Sequence, residues 1–147
     1  MSEEPRTLAV DRSGAWTYVA RNDRGGEVRI GVAGASDSFT PGELLQLAVA
    51  TCGALSADHV LANRLGEDFE ATLLLDALTA VPGGPHESRY THLSTQLVTD
   101  LSALPPDRRE ALVARAEKAI ERLCAVARTV ERSATAEARV IDRGPTG

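Results

Sequence analysis

The stretch TPGELLQLAVATC, Thr40 to Cys52, decides how the chain is to be read. Thr40 suits an N-cap, Pro41 the first helical position where its missing N–H costs nothing, and Glu43 the closing side of a capping box. Leu45, Ala48, Cys52, Leu55 and His59 recur at helical spacing, so the helix is predicted to bury that stripe and run to about Arg64, with Gly66 as its stop. A cysteine on such a face is ordinarily an inert small hydrophobe, so Cys52 becomes chemically interesting only if something elsewhere meets it.

Upstream, AWTYVA (15–20) and EVRIGV (27–32) read as strands of a meander punctuated by DRSG and RNDRGG. Val28 and Ile30 share one face and Arg29 takes the other. Downstream, DFEATLLLDALTAV (68–81) and RYTHLSTQLVTDL (89–101) are predicted to pair as a long hairpin turning at PGGPHES. After LPPD a second helix is predicted from about Arg108 to Ala127, burying Leu112, Ala116, Ala119, Ile120 and Leu123, with Cys124 at its end. A last strand, SATAEARVID (133–142), precedes the tail RGPTG. The order β-β-β-α-β-β-α-β predicts an α+β fold, with residues 1–142 as one domain and 143–147 as a frayed tail.

The 147 residues, 43% hydrophobic and 25% charged, suit one globular domain with a real core. A net charge of −5 with no basic run argues against nucleic acid or an anionic membrane surface as partner. No apolar stretch is read as a membrane span, and acidic residues stand at the start where a signal peptide would be basic, so the expectation is a cytoplasmic protein. Two cysteines make no disulfide framework, and ligands at metal-binding spacing are missing, so neither metal nor bound cofactor is expected. In a reducing compartment such a pair is either a bystander or redox chemistry.

Two segments together carry a resemblance. SFTPGELLQLAVATCGALSAD (38–58) resembles the central helix of the OsmC/Ohr family, where P-x-E-L-L leads into a cysteine. AEKAIERLCAVARTVERSATAEARV (116–140) resembles the later helix, in which C-x-V-x-R-T-L precedes a terminal strand. The resemblance covers roughly Glu27 to Val140 and implies an intertwined homodimer and a thiol peroxidase acting on organic hydroperoxides. It places Cys52 at the attacking position and Cys124 at the resolving one, with a dithiol or dithiol-carrying protein as external reductant.

The resemblance also implies an arginine from an early strand and a glutamate near the start of the central helix. Arg29 is the best match for the first, with Arg24 and Arg21 as alternatives. Glu43 is the candidate for the second, yet the peroxidase branches carry that carboxylate one residue earlier, where this chain has Gly42. A one-residue shift turns a helical side chain by about 100°, so closing the capping box is the preferred role for Glu43. His59 is weighed as a pocket residue against a packed one, and Arg128 as a thiolate partner against a cap on helix carbonyls. His86 and His92 show no ligand spacing, and Trp16 is expected to pack. The rival readings are a non-catalytic small-molecule-binding protein and a redox sensor.

Overall fold

The computed structural model describes residues 8–76, 80–81 and 89–145. The predicted turn PGGPHES, with His86, lies outside them. Strands β1 (Ala9–Gly14), β2 (Thr17–Arg21) and β3 (Glu27–Gly31) form an antiparallel meander in the order β1-β2-β3. Trp16 adopts a left-handed φ of 63° in the β1–β2 turn and stands exposed, contrary to the expectation that it packs.

Helix α1 (Pro41–Leu65) begins as its sequence requires. Glu43 N–H donates to the Thr40 hydroxyl at 3.2 Å and Thr40 N–H to the Glu43 carboxylate at 2.8 Å, and Gly66, with a φ of 100°, ends the helix. The predicted buried stripe is corrected. Leu45, Ala48, Leu55 and His59 are exposed, and the face turned inward is Ala50, Gly53, Ala57 and Leu61. In a helix apolar on most of its circumference hydrophobic period does not choose the buried side; the small residues do, because they admit a neighbouring helix closely. The same apolarity corrects the membrane expectation: by length and composition α1, with a mean hydropathy of 1.4 over its best 18-residue window, is apolar enough to cross a membrane. A central core helix passes the same test.

In place of one continuous hairpin, two short antiparallel ladders form, and residues 91–94 lie in neither. β4 (Ala71–Leu75) pairs antiparallel with β7 (Thr95–Thr99), and β5 (Ala80–Val81) with β6 (Arg89–Tyr90). Both ladders keep one register, Leu75 facing Thr95 and Ala80 facing Tyr90. The turn before the second helix is held by Arg109, which donates to the carbonyls of Leu104 (2.6 Å) and Ser102 (3.2 Å).

The predicted second helix is two helices. α2 (Pro106–Leu123) stops at Cys124, whose ψ of 91° leaves the helical region, and α3 (Ala125–Glu131) starts immediately after. The predicted last strand is not formed: residues 134–145 join no ladder, and Val140 and Ile141 are exposed. A strand forms only by bonding an edge, and this segment lies on none of the described sheet edges. The core is Ala57 and Leu61 of α1 against Leu112 and Ala116 of α2, sealed by Phe69, Leu97, Leu101 and Ile120. α3 also packs on α1, and the hairpin reaches α1 through β4. Among the described residues no comparably extensive contact joins the meander to a helix.

Candidate functional site: a cysteine pair at a helix break

Cys52 lies midway along α1 and is half-buried; Cys124 occupies the α2–α3 junction and is 2% exposed. α3 packs on α1, and this contact sets the two cysteines close enough to influence each other's ionisation. The break at Cys124 supplies what a continuous helix would withhold. Cys124 N–H still bonds the Ile120 carbonyl and Arg128 N–H the Cys124 carbonyl, but Ala125, Val126 and Ala127 occupy a helical first turn, where backbone N–H groups lack intrahelical acceptors.

Those donors face the sulfurs. The N–H of Val126 is the chief group holding the Cys52 thiol below its ordinary pKa, followed by the Cys124 thiol, with the N–H of Ala125 and the Ser56 side chain adding to it against a modest cost of burial. Cys124 shifts the other way. Burial pushes it up, and the neighbouring Cys52 adds to the rise both by hydrogen bond and by charge, while the N–H groups of Ala127 and Val126 only partly offset this. The pair is therefore asymmetric: ionisation falls on Cys52, and Cys124 stays protonated beside it.

Of the other sequence candidates, none adjoins the sulfurs through an observed contact. Arg29 is exposed on β3, while Arg21 pairs with Glu27 at 3.0 Å and Asp11 at 3.8 Å, and Arg24 with Asp23 at 3.1 Å. Glu43 caps α1. Exposed His59 meets Asn63 at 3.3 Å, and His92 is exposed outside the strands. Arg128 donates to the carbonyl of Arg122 near the end of α2, the capping role rather than the thiolate one. Sequence reasoning missed the amides of Ala125 and Val126, which no residue type announces. It also missed Ser56, whose hydroxyl bonds the Cys52 carbonyl at 2.7 Å and which its place one helical turn beyond Cys52 would have revealed. Among the described residues no group of three or more His, Cys, Asp or Glu converges to hold a metal.

An α+β domain with two thiols meeting between its long central helix and a broken later one defines a class of proteins. The family model for OsmC-like protein matches residues 34–139, and the chain belongs to that family. An uncharacterized protein of Mycobacterium tuberculosis is 34% identical over 137 residues, covering 93% of this chain and 97% of its own. Among solved structures, a hypothetical protein from Aquifex aeolicus shares the fold at a TM-score of 0.67 and 19% identity, covering 89% of this chain and 90% of its own. An OsmC-like protein of unknown function from Vibrio cholerae does so at a TM-score of 0.56 and 16% identity, covering 89% of this chain and 95% of its own.

Proposed function

We propose that this protein is a cysteine-based peroxidase that reduces organic hydroperoxides, working as an intertwined homodimer with an external dithiol as reductant. The observation that carries the reading is the meeting of two free cysteines, Cys52 of α1 and Cys124 of the α2–α3 junction, in a chain of the OsmC-like family, and their opposed acidity agrees with it. The Cys52 thiolate attacks the peroxide, an S–O bond forms as the O–O bond breaks, and the departing alkoxide takes a proton from water to leave as an alcohol. Cys124 then attacks the Cys52 sulfenic acid; an S–S bond forms, and the displaced hydroxide takes the Cys124 proton and departs as water. Raised acidity suits the attacking sulfur, and a buried thiol one contact away suits resolution.

The dimer reading rests on surface. The chain exposes 11985 Å², where a compact monomer of this size exposes about 7,300 Å². Leu45, Leu55, Phe39, Val140 and Ile141 are among the large apolar side chains left uncovered. A second copy would cover α1 and give the unpaired segment 134–142 an edge. Arg29 stands on a sheet with no extensive packing on α1, so its part in organising the Cys52 thiolate is proposed across that dimer interface.

A second reading, a non-catalytic small-molecule-binding protein, is favoured by an open cavity of about 510 Å³ between α1, α2 and β7, walled by Leu61, Leu97, Leu101, Val113 and Ile120. One assay separates the two. Reduced protein, an alkyl hydroperoxide and a dithiol are mixed and peroxide loss is followed. Turnover above a cysteine-free control supports the peroxidase, and loss no faster than that control hands the site to the binding reading.

A further inference from the structure

Cys52 lines neither of the two cavities that border Cys124. One of these, about 190 Å³, is apolar and lies against Leu73, Leu93 and Leu97 of the hairpin. The other, about 340 Å³, opens between α2 and α3 and is bordered by Glu117, Ile120, Glu121, Arg128 and Glu131 as well as Cys124. Its three glutamates are exposed, and Arg128 is turned to the Arg122 carbonyl.

We propose that the thiol that reduces the oxidised protein attacks the Cys124 sulfur through the cavity between α2 and α3, and that the glutamates at its mouth favour neutral or cationic dithiols over anionic ones. This rests on the Cys52–Cys124 disulfide of the proposed cycle.

In the first step an external thiolate forms an S–S bond to Cys124 as the Cys52–Cys124 bond breaks, and Cys52 departs with the electron pair as a thiolate. Exchange is fastest when the leaving sulfur is the more acidic one, and Cys52 leaves into the N–H groups of Val126 and Ala125. In the second step the reductant's other thiol attacks the reductant sulfur bound to Cys124. The Cys124 sulfur leaves and takes up the proton that thiol gives up, so the dithiol ends as its own disulfide and both protein thiols are restored. Carboxylates clustered at one mouth repel an anion and draw a cation over roughly a Debye length, about 10 Å at moderate salt.

The test uses full-length protein oxidised in parallel by an alkyl hydroperoxide and by diamide. It is exposed briefly to 2-mercaptoethanol, quenched with iodoacetamide and mapped by mass spectrometry. Mercaptoethanol on Cys124 with carbamidomethyl on Cys52 is expected; the reverse pattern, or an even mixture, overturns the proposal. Reduction rates per thiolate should then fall from cysteamine to 2-mercaptoethanol to 3-mercaptopropionate at low salt and converge at high salt. Replacing all three glutamates (Glu117→Gln, Glu121→Gln, Glu131→Gln) should speed the anionic thiol by roughly tenfold at low salt and leave the neutral one unchanged. Rates blind to thiol charge in both proteins overturn the selectivity. A disulfide made by diamide but not by hydroperoxide defeats the peroxidase reading alone, and the mapping still decides this proposal; no disulfide from either oxidant overturns both.

Discussion

Cys52 and Cys124 are the same residue in contact, yet the chain treats them oppositely. Cys52 sits in the middle of a long helix, where its own helix leaves it no free backbone N–H, and its acidity is raised chiefly by the backbone of another helix. Cys124 sits at a helix break with donors adjacent in sequence, and burial outweighs them. A thiol's chemistry is set by where unpaired N–H groups point and by how far water is excluded. A cation is one way to hold a thiolate; a helix that starts against it is another.

The sharpest way to break the comparison is to remove each sulfur. Cys52→Ser should abolish reaction with hydroperoxide. Cys124→Ser should consume about one equivalent and leave a sulfenic acid that dimedone captures, read by mass spectrometry. Equal behaviour of the two variants would erase the asymmetry. Next in size is Ala125→Pro, which deletes one amide facing Cys52. Proline is at home at the first position of α3, and the extended Cys124 before it suits a residue preceding proline, so the fold should hold. Alkylation of Cys52 at neutral pH should slow severalfold as its pKa climbs back toward the ordinary value. Unchanged kinetics would remove the amides from the account. Arg29→Ala gives the matching test of the cation: slower alkylation is expected if the arginine reaches the thiolate across the proposed dimer interface, and an unchanged rate removes Arg29 from the site.

The two thiols should also leave opposite marks on stability against pH. Cys52 has a depressed folded pKa, so its contribution is full above the ordinary thiol pKa and is lost as pH falls through the folded value. Cys124 has a raised one, so its contribution is full below the ordinary thiol pKa and is lost as pH rises through the folded value. Urea unfolding across this range should show the low-pH limb vanish in Cys52→Ser and the high-pH limb vanish in Cys124→Ser. A variant that keeps the limb assigned to its missing thiol contradicts the assignment.

Much of the fold is legible in the sequence because it is written in local chemistry. The α1 start, the meander and the hairpin follow from a capping box, turn residues and alternation, each a nearest-neighbour effect. The break at Cys124 is not legible, since AVART holds neither glycine nor proline and carries a helical pattern straight through. The buried side of α1 is hidden by its own apolarity. The terminal strand predicted from alternation is not formed, because pairing is a property of the edge a segment meets and residues 134–145 meet none of the described edges. Of the site, the two sulfurs are visible by resemblance, whereas backbone N–H groups belong to every residue and mark none.

The smallest expected effect is at Glu43, and it tests whether the cap and the cysteines are separate parts of α1. Both arms of the capping box are made, Glu43 accepting from the Thr40 backbone and donating its own N–H to the Thr40 hydroxyl. Glu43→Ala removes the side-chain arm alone and leaves Thr40 N–H to water. The loss should be about 1 kcal/mol, a fall in melting temperature of about 3 °C for a chain this long. Cys52 lies more than two turns farther along the helix, and its principal donors are the N–H of Val126 and the Cys124 thiol. Its alkylation rate should therefore stay at the wild-type value while the melting point drops. A Glu43→Ala protein that melts like wild type but turns over poorly would reverse this assignment and move the carboxylate from the cap into the site.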